Sequence, residues 1–148
     1  MAKLHIVGLI GLAEPAIAFA KQLMKRQVTV VAYDTIHINR QWAMTSGIVA
    51  TSSLQAVILH LPSPKVLICY MATKKASKVQ FAILPDLLSE GDIVIDNGKM
   101  DARHRALLQE KGIILLNIGA KAIKAGQIWT NDAEKNAYEY CKAIFEAE

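Results

Sequence analysis

The chain has 148 residues, a formal net charge of +4 at pH 7 and an apolar content of 53%. This length fits one domain that buries about two thirds of its unfolded surface, and we expect no membrane span because long uncharged apolar runs are absent. The dispersed lysines predict no nucleic-acid binding, and the first residues lead straight into a strand without a signal-peptide pattern, which favours a cytoplasmic protein.

Strand and helix signals alternate along the whole chain, and this alternation predicts an α/β domain with a mostly parallel sheet. The predicted strands are Leu4–Ile10, Val28–Tyr33, Ile48–Ala50, Val66–Met71, Asp92–Asp96 and Ile113–Ile118, with a further edge strand at Gln127–Thr130. The predicted helices are Pro15–Arg26, Ile36–Ser46, a helix opened by Ser52-Ser53-Leu54-Gln55 that runs to Leu59, Lys75–Leu88, Asp101–Lys111, and a last one capped by Asn131 that runs to Ala147. This order predicts a single Rossmann-type, doubly wound domain.

Residues 4–34 follow the order of a dinucleotide-binding βαβ unit: strand, glycine turn, amphipathic helix, strand and terminal acid. Where such units read G-x-G-x-x-G/A, this chain reads Gly11-Leu12-Ala13-Glu14-Pro15-Ala16. Ala13 places a methyl group where the pyrophosphate would approach, Glu14 adds a carboxylate, and Pro15 lacks an N–H donor. These changes predict weak phosphate binding. The alternative is that Glu14 and Pro15 stabilise a helix start that holds no ligand.

Asp34 ends the second predicted strand, 23 residues after Gly11. In NAD-binding folds an acid at this place accepts hydrogen bonds from the ribose hydroxyls and disfavours a 2′-phosphate. We therefore expect NAD to be favoured over NADP, if a dinucleotide binds. The alternative is that Asp34 caps the helix that follows.

Cysteine and histidine usage predicts neither a disulfide nor a metal site. Cys69 falls in a predicted buried strand and Cys141 in the last helix, so both are interpreted as reduced core residues. The four histidines lack metal-ligand spacing: His5, His37, His60 and His104. The net positive charge mildly favours an anionic ligand, and the apolar content leaves room for a docking face.

Several stretches occur together in an order typical of one family. They are Ile10-Gly11-Leu12, Leu23-Met24-Lys25, Ala32-Tyr33-Asp34, Ala50-Thr51-Ser52-Ser53-Leu54, Leu87-Leu88-Ser89-Glu90-Gly91-Asp92-Ile93-Val94-Ile95-Asp96, Glu110-Lys111-Gly112-Ile113 and Ala143-Ile144-Phe145-Glu146-Ala147. On these stretches the chain, over residues 1–148, resembles the N-terminal NAD(P)-binding domain of the 6-phosphogluconate dehydrogenase and 3-hydroxyisobutyrate dehydrogenase family.

The resemblance implies two groups of site residues. The cofactor would contact Gly11, Leu12, Ala13, Glu14, Pro15, Asp34, Met71 and Ala72. In the family an Asp-Gly-Gly-Asn stretch and a Ser-Gly-Gly stretch hold the substrate; the matching stretches here are Asp96-Asn97-Gly98-Lys99 and Gly119-Ala120-Lys121-Ala122-Ile123. Lys99 and Lys121 therefore stand where the substrate would bind.

The family's catalytic lysine, the general base on the substrate hydroxyl, lies in a helix beyond this domain, and the sequence ends at Glu148. The resemblance therefore implies a degenerate, non-catalytic domain that binds a nucleotide, a small anion or a protein partner. Ile128, Trp129 and Tyr138 would contribute to a homodimer or partner surface.

Two alternatives stay open. The first is an NAD-dependent oxidoreductase of a small or phosphorylated hydroxy acid, active when a helical domain completes it. Within this chain its base would be His104 or Lys99. The second is an interaction protein that has lost cofactor binding.

Overall fold

The computed structural model describes residues 4–70, 74–97, 100–117 and 131–147. Its strands are β1 (Ile6–Ile10), β2 (Thr29–Tyr33), β3 (Val49–Ala50), β4 (Val66–Cys69), β5 (Ile93–Asp96) and β6 (Ile114–Asn117). They form one sheet in the order β3-β2-β1-β4-β5-β6, and every pairing is parallel. This order is that of a Rossmann fold and confirms the predicted fold class. The predicted edge strand at Gln127–Thr130 lies outside the described residues.

The described helices are α1 (Glu14–Lys25), α2 (His37–Thr45), α3 (Leu54–Leu59), α4 (Lys74–Leu87), α5 (Ala102–Glu110), α6 (Asp132–Tyr140) and α7 (Lys142–Ala147). The single last helix expected from Asn131 to Ala147 is wrong in one respect, because it breaks at Cys141. There the N–H of Ile144 donates to the Cys141 carbonyl at 2.8 Å, a three-residue turn that ends the α-helical ladder.

Helices cover both faces of the sheet. Alternate strand residues point to opposite faces, and because both sets are apolar, each face has to be buried under helices. On one face Val7 and Leu9 of β1 belong to a core cluster with residues of α1, α6 and α7. On the other face Ile10 belongs to a cluster with residues of α3, α4 and α5. Gly8 also faces α3: a Cβ there would lie 2.8 Å from the side chains of Val57 and Leu67. The missing side chain thus lets α3 pack closely on β1.

Short polar side chains begin three of the helices. Ser53 Oγ accepts from the N–H of Ala56 at 3.1 Å, so Ser53 rather than Ser52 of the predicted capping stretch caps α3. Asp101 caps α5 and Asn131 caps α6 in the same way. By contrast, α1 begins after Ala13 with no side-chain cap. The N-terminal amides of α1 therefore lack the side-chain acceptor that caps α3, α5 and α6.

Both cysteines are free, buried thiols, as the sequence predicts. Burial, and secondarily the negative charge of Asp96, raises the pKa of Cys69 well above its ordinary value. Burial raises the pKa of Cys141 to about 12. Both thiols are accordingly protonated core groups at neutral pH. Within the described part of the chain, no helix combines the length and apolarity that crossing a membrane requires.

Candidate functional site

The strand order reverses between β1 and β4, and in open α/β sheets ligands bind outside the carboxyl ends of the strands at this point. Ile10 and Cys69 are partners at these ends, and the N–H of Tyr70 donates to the Ile10 carbonyl at 2.8 Å. The glycine turn that follows β1 therefore stands at the mouth of this crevice, where the sequence predicts the cofactor.

Gly11 opens the turn with φ 96°, a left-handed conformation that glycine adopts without strain. Its N–H donates to the carbonyl of Tyr33 at 2.9 Å, which ties the turn to the end of β2. Leu12 is fully buried, and its N–H donates to Asp34 Oδ2 at 2.8 Å. The first half of the turn is thus held by the neighbouring strand before any ligand binds.

The second half of the turn offers few donors to a phosphate. Ala13 has φ −64° and ψ 165°, so its backbone does not require glycine. Pro15 has no N–H, and the N–H groups of Ala16 and Ile17 both donate to the Ala13 carbonyl. Ala13 and Glu14 are therefore the two residues of this turn whose amides remain for an anion. The Glu14 carboxylate, in the first turn of α1, complements the helix dipole in the anion's place.

The Asp34 carboxylate accepts three hydrogen bonds within the described part of the site. Its Oδ2 accepts from the N–H of Leu12 at 2.8 Å and from Asn39 Nδ2 at 3.1 Å. Its Oδ1 accepts from the N–H of Ile36 at 2.8 Å, just before α2 begins. A carboxylate offers about four acceptor positions, so three are used and one on Oδ1 remains for a ribose hydroxyl. Asp34 therefore supports the start of the next helix and still fits the ribose-binding role.

Arg40 on α2 belongs to the same group, which the sequence analysis missed. Its Nη1 donates to the backbone carbonyl of Asp34 at 2.6 Å, and its Nη2 lies 3.3 Å from His37 Nδ1. Its guanidinium carbon lies 5.8 Å from the centre of the Tyr33 ring. Arg40 lies six positions after Asp34 in the sequence, and the first turn of α2 brings its side chain back to the end of β2.

Asp96, at the carboxyl end of β5, is fully buried. Its Oδ2 lies 3.3 Å from Arg105 Nη1 of α5, whereas its Oδ1 has no hydrogen-bond partner in the described part of the chain. The negative charge of Asp96 is thus compensated by Arg105, through Oδ2 only. Asp96 anchors the start of the stretch that the resemblance assigns to substrate binding.

His104, one of the two alternative bases, is engaged within its own helix. Its Nδ1 lies 2.7 Å from Asp101 Oδ1, and its ring centre lies 6.2 Å from that of Phe81 on α4. Its side chain is only 15% exposed. The imidazole therefore stabilises the contact between α4 and α5 together with the helix cap.

Four predicted site residues lie outside the described residues: Met71, Ala72, Lys99 and Lys121. Of the predicted partner surface, Ile128 and Trp129 also lie outside them. Tyr138 is described; it is half-buried and packs on Phe145 with ring centres 4.9 Å apart. Across the described ranges, no cluster of three His, Cys, Asp or Glu residues has a geometry that could hold a metal ion.

The residues present fit a dinucleotide unevenly. At the ribose end, Asp34 keeps an acceptor position and is held in place by three donors. At the pyrophosphate end, α1 has no side-chain cap, but Glu14 places a negative charge at its dipole and Pro15 removes one donor. The described residues thus offer an acceptor suited to a ribose hydroxyl and fewer pyrophosphate donors than a glycine-rich turn.

Comparison with known structures gives the same fold at low sequence identity. The 3-hydroxyisobutyrate dehydrogenase of Mycobacterium tuberculosis is 12% identical, with a TM-score of 0.76 over 97% of this chain and 52% of that one. The 6-phosphogluconate dehydrogenase of Plasmodium falciparum is 20% identical, with a TM-score of 0.74 over 95% of this chain and 33% of that one. The 3-hydroxyisobutyrate dehydrogenase of Salmonella typhimurium is 16% identical, with a TM-score of 0.67 over 96% of this chain and 53% of that one.

The chain thus spans about half the length of the two 3-hydroxyisobutyrate dehydrogenases and a third of the 6-phosphogluconate dehydrogenase. Comparison of the sequence with curated proteins found no match. The family model described as the NAD binding domain of 6-phosphogluconate dehydrogenase matches residues 6–147, almost the whole sequence. The chain therefore belongs to the NAD(P)-binding domain family of 6-phosphogluconate dehydrogenase.

Proposed function

We propose that this domain binds a nicotinamide dinucleotide at the carboxyl ends of β1, β2 and β4 and does not catalyse a reaction by itself. One observation carries the proposal: the Asp34 carboxylate holds the Leu12 amide at 2.8 Å and keeps an acceptor position beside the crevice. The ribose-binding group is therefore preorganised against the glycine turn. Because this group is an anion, we expect NAD to bind more tightly than NADP.

The comparisons support this class of ligand. The Plasmodium falciparum 6-phosphogluconate dehydrogenase is described in complex with its cofactor NADP+, and so is a second neighbour, Psf3. Ala13 and Pro15 are expected to lower the affinity of this chain for a dinucleotide, because each charge-assisted hydrogen bond lost at the pyrophosphate costs about 1.5–3 kcal/mol. We accordingly expect weaker binding than a complete glycine-rich turn provides.

The non-catalytic part of the proposal follows from the groups that hydride transfer requires. A general base must stand beside the substrate hydroxyl, and the resemblance places that lysine in a helical domain. Of the two bases considered within the chain, His104 is bonded to Asp101 and packed against Phe81. Oxidation of a small or phosphorylated hydroxy acid is therefore proposed only for a form completed by such a domain.

A homo-oligomer or a protein partner remains part of the proposal. The observation that favours it is a set of exposed apolar side chains on α2 and β3: Ile38 is 45%, Trp42 55% and Val49 46% exposed. Because α2 and β3 contact each other, these side chains lie on neighbouring elements, and clustered exposed apolar side chains are typical of interaction surfaces. The two free buried thiols also agree with the reducing, cytoplasmic environment that the sequence favours.

The proposal is tested by isothermal titration of NAD, NADH, NADP and NADPH into the purified chain, with its mass measured by light scattering in the same buffer. The decisive variant is Ala13→Gly, which removes the methyl group expected to stand where the pyrophosphate approaches and should tighten NAD binding several-fold. The matched control is Ala18→Gly on the exposed side of the same helix. It should leave affinity unchanged and lower the free energy of unfolding by about 1 kcal/mol.

Saturable NAD or NADH binding that tightens in Ala13→Gly and not in Ala18→Gly supports the proposal. If neither the natural chain nor Ala13→Gly binds any of the four dinucleotides at millimolar concentration, dinucleotide binding is excluded. The search then turns to protein partners.

A further inference from the structure

We propose that two copies of this chain associate about a twofold axis through the β3 edge of the sheet, and that the apolar side chains exposed there form the interface. The inference rests on the oligomer part of the proposed function and is independent of dinucleotide binding. The surface concerned, called here the β3 edge surface, consists of six side chains: Ile36, Ile38, Trp42, Met44, Val49 and Leu59.

Exposed large apolar side chains are concentrated at this one edge. Seven of them occur among the described residues, and six belong to the β3 edge surface, whereas the seventh, Leu107, lies on α5. Apolar side chains that are exposed singly are normal on a protein surface, but a concentration of them marks an interaction site. The distribution therefore distinguishes this edge from the rest of the described surface.

The β3 edge surface extends around the open side of the sheet. β3 is the outermost strand of the described sheet and pairs there with β2. Helix α2 lies over one face, since Ala43 belongs to the core cluster of α1, and α3 lies over the other face, since Val57 belongs to the opposite cluster. Val49 is on β3 itself. A partner that approaches the edge therefore covers apolar groups on both helices and on the strand.

The segment that forms this edge is almost free of ionised groups. Residues 41–64 contain no Asp, Glu, Lys or Arg, although these four residue types make up 20% of the chain. The stretch includes the second half of α2, all of β3 and all of α3. Edge strands that face solvent are usually protected from association by charged side chains, above all lysine. This edge lacks that protection and has the composition of an interface centre, where charge is depleted.

The absence of charge in this segment favours a second copy of the chain as the partner. In a twofold interface a residue near the axis faces its own copy, so any charge there would meet a like charge. The chain carries a formal net charge of +4, and two copies therefore repel each other unless they meet at an uncharged surface. A different protein recognised by its charge would require complementary charges, which residues 41–64 do not supply.

The edge also has the layout that a dimer interface requires. Interfaces of standard size bury about 800 Å² on each partner, with an apolar centre and a polar rim. The six apolar side chains supply the centre, and the uncharged, exposed Gln41 and Thr45 of α2 supply part of the rim. Trp42 is the expected anchor, because tryptophan is enriched among the residues that contribute most to binding.

The test measures dimerisation by sedimentation equilibrium over the micromolar range for the natural chain and three variants. Trp42→Glu and Leu59→Glu each place a carboxylate on the β3 edge surface. Leu107→Glu is the matched control, because it makes the same kind of change at the exposed apolar residue outside that surface. Leu59 is 83% exposed, so its replacement keeps the test valid if Trp42→Glu does not fold. Circular dichroism and urea midpoints establish that each variant is folded.

We expect the natural chain to dimerise at micromolar concentration. Trp42→Glu and Leu59→Glu should raise the dissociation constant of the dimer by about thirtyfold or more, and Leu107→Glu should change it by less than about threefold. Added NaCl should strengthen the dimer, because it screens the repulsion between two positively charged copies, whereas an interface held by opposite charges would weaken.

A second measurement tests the twofold arrangement directly. Val49→Cys places a thiol on β3, near the proposed axis, and mild oxidation should link two copies through a disulfide. Leu107→Cys, the control, should remain unlinked under the same conditions. The natural thiols do not interfere, because Cys69 and Cys141 are both buried.

A natural chain that stays monomeric throughout the micromolar range overturns the inference, and so does a dimer that the two edge variants leave intact. Equal weakening by Leu107→Glu, or growth beyond a dimer, overturns it as well. In each of these cases the titration of dinucleotides decides the rest of the proposed function separately. A dimer that both edge variants disrupt, in a chain that binds no dinucleotide, sustains the inference and rejects the dinucleotide part of the proposed function.

Discussion

The carboxylate of Asp34 accepts a hydrogen bond from the backbone N–H of Leu12 at 2.8 Å, between residues separated by 22 positions in the chain. This bond joins the end of β2 to the turn after β1, the two segments between which a dinucleotide would bind. The same side chain accepts from the N–H of Ile36 before α2. One residue therefore joins the glycine turn to the start of α2 and carries the carboxylate that we propose as the ribose acceptor.

Replacing Asp34 in the absence of ligand tests its structural role. Asp34→Ala should lower the free energy of unfolding in urea by about 1–3 kcal/mol, because three donors lose a charged acceptor. Asp34→Asn keeps one acceptor oxygen and should lose less. Asp132→Ala, an exposed acid in the first turn of α6, is the control and should cost no more than about 1 kcal/mol. An Asp34→Ala loss as small as that of the control would contradict the structural role.

Arg105 should matter for stability far more than its neighbour Arg103 on the same helix. Arg105→Ala removes the ion-pair partner of Asp96, which is fully buried, and leaves its charge uncompensated. We expect a loss of about 1–3 kcal/mol, less than for a fully buried pair because Arg105 is partly exposed. Arg103→Ala, at an exposed position, is the matched control. Equal urea midpoints for the two variants would show that Asp96 does not depend on Arg105.

The close approach of α3 to β1 can be tested at Gly8. Gly8→Ala should lower the free energy of unfolding by about 1–3 kcal/mol, because the added methyl group meets Val57 and Leu67 at 2.8 Å. In a Val57→Ala background the same change should cost less, since one of the two crowding side chains is shortened. The coupling is measured by a double-mutant cycle in urea. Additive costs would mean that the methyl group does not meet Val57.

The raised pKa of Cys141 predicts a loss of stability in alkaline solution. An unfolded thiol loses its proton above about pH 8.5, whereas the folded one keeps it until about pH 12. Between these values the unfolded state binds fewer protons, so stability falls as pH rises, by up to about 1.4 kcal/mol per pH unit. The free-energy difference between the natural chain and Cys141→Ala should therefore shrink from pH 8 to pH 10. A constant difference would contradict the raised pKa.

The exposed aromatic on α2 shows what periodicity alone could not decide. Ala43 is fully buried, whereas Ile38 and Trp42, which are one turn apart on the same helix, are exposed. A sequence reading assigns apolar residues to the core unless the helix face is known, and that face depends on how α2 meets the edge of the sheet. The break between α6 and α7 at Cys141 could not be predicted from the sequence either, because no glycine or proline stands there.

By itself the sequence determined the alternation of strands and helices, the parallel sheet, the glycine turn after β1 and the acid at the end of β2. These follow from patterns within a few residues, such as apolar runs, helix caps and turn residues, which depend little on distant contacts. Only the tertiary structure decided the partners of these groups: Leu12 for Asp34, Arg40 beside its carbonyl, and Arg105 for the buried Asp96. Such pairs join residues through strand order and helix placement, and no local periodicity contains that information.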